Sequence, residues 1–236
     1  MLLIPAKVEE GASMSSKITS INLGGVNCYL LKSDQGFVLI DTGFQTQRAK
    51  LEQRLDEAGC KPGNLKLIIL THGDTDHVGN CAYLHQKYGA PCAIHAKDAP
   101  MVEDGNMGAN RKAKPDELSL IFRILGLFTR RLAERHPLEK FKPDFTVDEA
   151  FDLGVYGLKA SVVHLPGHSK GSIGVLTSEG ALFCGDMFYN VPGFRCTDDL
   201  SDHEASLKKL RGLKIERVYP GHGKPFSAGA VLARAR

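Results

Sequence analysis

Leu65-Lys66-Leu67-Ile68-Ile69-Leu70 is a short apolar run that delivers the chain into Thr71-His72-Gly73-Asp74-Thr75-Asp76-His77. Such a run fits a strand buried on both faces. The His/Asp segment therefore occupies the loop after a strand, where binding sites are usually built. Imidazole nitrogens and carboxylate oxygens are ligands of zinc, iron and manganese. Four of them within six residues, His72, Asp74, Asp76 and His77, can wrap one or two cations.

The same setting recurs further along. His168 stands in Pro166-Gly167-His168-Ser169, Asp186 in Cys184-Gly185-Asp186, and His222 in Pro220-Gly221-His222-Gly223. A lone histidine in a loop is ordinarily a solvated or capping residue. Seven ligand-type side chains, each flanked by Gly, Pro or Thr at a strand end, read instead as a metal site.

Working outward, residues 18–23, 27–32 and 37–41 are β-prone runs punctuated by Gly24-Gly25 and Ser33-Asp34-Gln35-Gly36, an opening meander. Leu51, Leu55 and Ala58 then recur at helical spacing, with Gly59 where a C-cap belongs. The pattern predicts a second helix over 77–88, a strand over 92–95 and a short helix over 97–102. Residues 104–116 are rich in Gly, Asn, Lys and Pro, a loop signature. A helix over 117–135 follows, with Leu118, Ile121, Phe122, Leu125, Phe128 and Leu132 on one side and Leu120, Ile124 and Leu127 on the other. Arg123, Arg130, Arg131 and Arg135 crowd its later half. This insertion, about 104–143, reads as a helix packed on the main domain, a lid, a dimer contact or a membrane-surface helix. Strands are expected again at 146–151, 158–164, 172–177, 181–184 and 215–219, with a helix over 202–211. Two β-rich halves around a helical insertion suggest an α/β (α+β) chain with two stacked sheets, one domain over 1–236.

Composition narrows the function. The chain has 236 residues, 42% hydrophobic and 24% charged, with a formal net charge of +3. These values are those of an ordinary globular protein and too balanced to imply nucleic acid. No apolar tract reaches transmembrane length, so no stable membrane insertion is expected. Six cysteines without a CxxC pair read as free thiols, and no signal-peptide pattern opens the chain, so a cytoplasmic location is expected.

These motifs resemble those of the metallo-β-lactamase superfamily, whose signature is HxHxDH after a strand followed by separate His, Asp and His motifs. The resemblance covers nearly the whole chain: Ile40-Asp41-Thr42-Gly43 resembles the early Asp motif, Thr71–His77 the main loop, and Gly167-His168-Ser169, Gly185-Asp186 and Gly221-His222-Gly223 the later three. It implies a four-layer αββα sandwich and two divalent metal ions. One would be held by His72, Asp74 and His168, the other by Asp76, His77 and His222, with Asp186 bridging. It also implies hydrolysis of a small-molecule substrate by a metal-bound water or hydroxide. Asp76 is a candidate catalytic residue, Asp41 a support for the ligand loop, and Tyr189 a candidate hydrogen-bond donor to a developing oxyanion.

The sequence departs from the family pattern at Asp74, where the signature has histidine. A carboxylate there makes the site harder and more negative, which favours iron or manganese over the zinc usual in the family. The alternative is that Asp74 turns away and leaves that half empty. Three rivals stand beside the hydrolase. Gly167-His168-Ser169-Lys170-Gly171 fits GxSxG, but an elbow must lead into a helix and Ser172–Thr177 reads as a strand. A di-iron redox enzyme is suggested by flavodiiron proteins, which carry a carboxylate at this position. A non-enzymatic metal-binding scaffold is the third. Met187-Phe188-Tyr189-Asn190 replaces the Gly-Cys-Gly-Arg loop of glyoxalase II-like enzymes, which argues against a glutathione thioester. Phe122, Phe128, Phe141 and Phe145 point to an apolar or amphipathic ester, lactone or thioester; a phosphoester remains in the class. The apolar insertion makes a homodimer reasonable.

Overall fold

The computed structural model describes residues 17–121, 123–124, 135 and 137–229. In chain order the strands are β1 (Ile18–Asn22), β2 (Asn27–Ser33), β3 (Gly36–Ile40), β4 (Leu65–Ile69), β5 (Cys92–His95), β6 (Glu117–Leu118), β7 (Phe145–Val147), β8 (Ala160–His164), β9 (Ile173–Thr177), β10 (Ala181–Asn190), β11 (Cys196–Thr197), β12 (Arg217–Gly223) and β13 (Phe226–Ser227). The described α-helices are α1 (Arg48–Glu57), α2 (Thr75–Val78), α3 (Cys81–Tyr88), α4 (Ala99–Asp104) and α5 (Leu200–Arg211).

Side-chain alternation along the strands builds the layers. On the six-stranded sheet, ordered β1-β2-β3-β4-β5-β7, Cys28, Leu30, Leu39, Ile68, Cys92 and Ile94 face one way. They pack against Leu51 and Leu55 of α1, Leu84 of α3 and Val102 of α4. Their neighbours Tyr29, Leu31, Val38, Ile40, Leu67, Ile69 and Ala93 face the other way, onto Val162, Val175 and Phe183 of the five-stranded sheet β13-β12-β10-β9-β8. The outer face of that second sheet, with Val163, Leu182 and Val218, is covered by Leu207 and Leu210 of α5. Three apolar interfaces separate four layers, helix, sheet, sheet, helix, as the αββα expectation requires. All six cysteines are buried and free.

Two departures from the sequence reading matter for the site. The strand expected to end at Cys184 runs on to Asn190, because β10 pairs in parallel with β12 through two register shifts, between Phe183 and Gly185 and between Gly185 and Tyr189. Such bulges re-aim side chains, and here they turn Asp186 and Tyr189 to the end of the sheet where His222 of β12 lies. The single helix expected over 77–88 is two, α2 and α3, parted at Gly79-Asn80. The Asn80 amide donates to Thr42 O and Phe44 O at 2.7 and 2.8 Å, fastening this corner to the loop after β3.

Within the insertion, Glu117 and Leu118 form a strand against Thr197 and Cys196, and the described residues Leu120, Ile121, Arg123, Ile124 and Arg135 are helical, so the helix expected from 117 starts later. Leu120, Ile121 and Ile124 are 71, 46 and 50% exposed, and the Ile121 side chain lies over Gly193, where an added Cβ would come within 2.8 Å of its Cδ1. Phe122, Leu125, Leu127, Phe128, Arg130, Arg131 and Leu132 lie outside the described residues.

Phe183 is fully buried between the sheets, its ring 5.1 Å from that of Tyr29 and 4.7 Å from that of Tyr219. Phe183→Ala is expected to cost about 3–5 kcal/mol, measured as a shift in urea unfolding; a loss below about 1 kcal/mol would contradict this packing of the inter-sheet core.

Candidate metal centre

Each expected ligand sits where a strand of one of the two sheets ends. His72 follows β4, His168 lies between β8 and β9, Asp186 is in the bent part of β10, His222 is near the end of β12, and Asp76 and His77 are in α2. The structure brings all seven together. His72, His168 and Asp186 form one group and Asp76, His77 and His222 another, with ligand atoms within 4.8 Å of one another in each. The rings of His72 and His77 lie 4.1 Å apart and those of His72 and His168 4.7 Å.

The four histidines are oriented alike. His72 Nδ1 donates to Thr71 Oγ1 at 3.0 Å, and His77 Nδ1 to Asp41 Oδ2 at 2.8 Å. His168 Nδ1 donates to Cys196 O at 3.1 Å and His222 Nδ1 to Gly25 O at 2.8 Å. With each Nδ1 proton used outward, each Nε2 turns a lone pair inward, the tautomer that ligating histidines adopt. His72 Nε2, His77 Nε2 and Asp186 Oδ1 are buried with no protein hydrogen-bond partner. Orphaned acceptors facing one another are costly unless a cation satisfies them.

Asp41 holds this arrangement together. It adopts φ +59° directly after β3, a left-handed conformation uncommon outside glycine and concentrated at functional sites. Its Oδ1 accepts from Thr71 N and its Oδ2 from Thr71 Oγ1, both at 2.8 Å, in addition to His77 Nδ1. Gly221 is needed for a different reason: a Cβ there would lie 2.4 Å from Asp186 Oδ1 and 2.6 Å from His77 Cε1.

The spacing of one group suits a metal directly. With ligand bonds of about 2.0–2.2 Å, tetrahedral ligands stand about 3.3–3.6 Å apart. His77 Nε2 is 3.2 Å from Asp186 Oδ1 and 3.6 Å from Asp76 Oδ2, and His222 Nε2 is 3.3 Å from each of Asp76 Oδ2 and Asp186 Oδ2. The other group is different. Asp74 turns into the site, with Oδ2 3.0 Å from His168 Nε2 and 3.5 Å from His72 Nε2. Its closest partner, however, is Arg111, whose Nη2 lies 2.8 and 2.9 Å from the two carboxylate oxygens and 3.0 Å from His168 Nε2.

Burial opposes ionisation of Asp186, but His222 and His77 outweigh it and hold the carboxyl well below its usual range. Burial likewise disfavours charge on His222, yet Asp186 and Asp76 push its pKa up to about 10. His168 also rises to about 10, lifted mainly by Asp74 against burial and Arg111. The pocket thus draws positive charge, as protons when no metal is bound.

Tyr189 reaches the centre, its hydroxyl 3.1 Å from His168 Nδ1 and hydrogen-bonded to Asp186, its ring stacked on His222 at 5.7 Å. Burial and Asp186 raise its pKa well above 10, so it stays a neutral phenol. Ser169 is no nucleophile elbow: its Oγ is buried against Asp98 Oδ2 at 2.7 Å, and the segment beyond it leads into β9.

Two residues escaped the sequence reading. Asp98, fully buried, accepts from Gly73 N, Ser169 Oγ, Gly171 N and Asn110 Nδ2 at 3.1, 2.7, 2.8 and 2.5 Å, so one carboxylate ties three loops of the site. No motif surrounds it. Arg111 belongs to a loop whose composition signals only irregular structure.

Two face-to-face sheets with a His/Asp centre at their strand ends define a metallohydrolase fold. The chain belongs to the metallo-beta-lactamase superfamily, whose family model matches residues 21–222, and it is a metallohydrolase of that superfamily; the non-enzymatic alternative gives way. It is 30% identical over 227 residues to the beta-lactamase-like protein 2 homolog of Drosophila melanogaster, covering 94% of this chain and 68% of the relative. It spans 57% of the length of the Caenorhabditis elegans homolog of that name. It is 28% identical to the hydroxyacylglutathione hydrolase GloC of Haemophilus influenzae, covering 92% and 94% of the two chains. Among solved structures, TTHA1623 in a di-iron-bound form superimposes with TM-score 0.66 at 30% identity, covering 93% and 98%. No described helix is long and apolar enough to cross a membrane.

Because metal must displace protons from these histidines, zinc uptake by the metal-free protein at pH 7 is expected to release protons. Calorimetric titration in buffers of different ionisation enthalpy checks this; a heat independent of buffer would contradict it. Asp41→Asn is expected to weaken metal binding by about 10- to 100-fold.

Proposed function

We propose that the chain is a metal-dependent hydrolase of a small ester, lactone or thioester, with its metal held by Asp76, His77, Asp186 and His222. The observation that carries the reading is the spacing of those four side chains together with the orphaned His77 Nε2 and Asp186 Oδ1. A divalent ion there supplies Lewis acidity toward a substrate oxygen and lowers the pKa of a water. Two histidines and two carboxylates suit zinc, iron or manganese, and the di-iron form of TTHA1623 supports iron among the metals to test.

The remaining roles belong to the protein. Asp76, 20% exposed, is the carboxylate placed to move a proton between solvent and the reacting groups. Tyr189 acts as a positioning residue: its one proton is engaged at the Asp186 and His168 side, which differs from the oxyanion role expected from sequence. A cavity of about 300 Å³ reaches Asp186 and is lined by Met187, Phe188, Tyr189 and Phe194 together with Glu117 and Arg195. This volume and mixed lining suit a small amphipathic substrate, and the likeness to GloC supports including thioesters.

The test is a screen of p-nitrophenyl acetate, an acyl lactone, S-lactoylglutathione and bis(p-nitrophenyl) phosphate, before and after chelation. Turnover of an acyl substrate is expected, lost with the metal, restored by zinc, iron or manganese, and reduced about 100-fold or more by Asp186→Asn. Activity that survives complete metal removal would overturn the metal-dependent reading; turnover of the phosphodiester alone would overturn the acyl class.

A further inference from the structure

Asp74 and Arg111 account for each other. His168 Nε2 lies 3.0 Å from Asp74 Oδ2. A buried carboxylate is costly unless a positive donor faces it. Arg111 Nη2 does so, at 2.8 and 2.9 Å from the Asp74 oxygens, and it stands 3.0 Å from His168 Nε2. The two carboxylate contacts have charge-assisted hydrogen-bond lengths, and the nitrogen stands between Asp74 and His168. A metal ion using the same atoms at about 2.0–2.2 Å would have to displace it.

The chain on both sides of Arg111 is fastened, which places the guanidinium by structure and not by chance of a free side chain. Asn110 Nδ2 donates to Lys97 O at 2.6 Å and to Asp98 Oδ1 at 2.5 Å. Lys112 N donates to both oxygens of Asp198 at 3.0 and 3.1 Å, and Asp116 N to Asp198 O at 3.2 Å. The Arg111 side chain is 18% exposed. Guanidinium keeps its charge at any working pH, so it and a metal ion in the same half would repel. The neutral histidine that the family signature has at position 74 would carry no charge to balance such a cation; a carboxylate does.

Resting on the metal-dependent reading, we infer that Arg111 is the resident cation of the His72–Asp74–His168 half, so that this centre holds one metal ion, at Asp76, His77, Asp186 and His222, with a guanidinium beside it. The arrangement supplies fixed positive charge and N–H donors next to the metal without a second exchangeable coordination position. Its consequence for catalysis is a fixed positive charge on this side of a developing oxyanion. His72 Nε2, also without a protein partner and 3.5 Å from Asp74 Oδ2, remains an acceptor for substrate or water.

The experiment is equilibrium dialysis of the metal-free protein against rising zinc, with bound metal counted by mass spectrometry, for the wild type, Arg111→Met, and Arg111→Met combined with Asp74→His. The wild type is expected to saturate at about one equivalent, and the Arg111→Met and double variants at about two. A wild type that saturates at two overturns the inference while leaving the hydrolase reading intact; one that binds none overturns both. Arg111→Met remaining at one equivalent would show that the guanidinium is not what excludes the second ion. The wild-type stoichiometry decides the matter even if Arg111→Met does not fold.

Discussion

Three carboxylates, Asp74, Asp76 and Asp186, share a pocket walled by imidazoles that are nearly all buried, and negative charge at that density is tolerable only beside cations. The rest of the centre follows from this constraint. On one side the balance comes from ligand atoms at metal-binding distances with no protein donor among them; on the other it comes from Arg111 against Asp74. The supporting bonds keep both solutions in place: four outward Nδ1 donations set the imidazole lone pairs inward, and Asp41 and Asp98, each buried, hold the loops that carry them.

The scaffold makes such a site affordable in conformational terms because its ligands hang from packed strands or, for Asp76 and His77, from the short helix α2 that follows β4. β4 is buried against helices on one face and the second sheet on the other, so His72 begins from a fixed point. β10 bends through two bulges at the sheet edge, and the bend costs pairing there but swings Asp186 to His77 and His222. The left-handed conformation of Asp41 is tolerated for the same reason: three hydrogen bonds hold a residue that an isolated chain would place elsewhere.

What was readable in the sequence is what is local. The alternation of β2 and β3, the apolar run of β4, and each short motif carry their meaning within about ten residues, so the strands and all seven ligand-type residues could be named from one chain, whereas the four layers came only from the family resemblance. The partner of Asp74 could not. Arg111 lies 37 residues away in a loop rich in Gly, Asn, Lys and Pro, and nothing periodic connects the two. Asp98 was invisible likewise, since its role is to accept from three loops that meet only in the folded chain. The extension of β10 past Cys184 was missed because Gly185-Asp186 looks like a turn; parallel pairing with β12, a long-range contact, overrides that local preference.

The central claim is that Asp76, His77, Asp186 and His222 form the metal-binding set, and anomalous diffraction at the absorption edge of the bound metal tests it most directly. The account predicts a peak within about 2.0–2.2 Å of His77 Nε2 and His222 Nε2, with oxygens of Asp76 and Asp186 completing the shell. A peak bounded instead by His72, Asp74 and His168, with none beside His222, would contradict it.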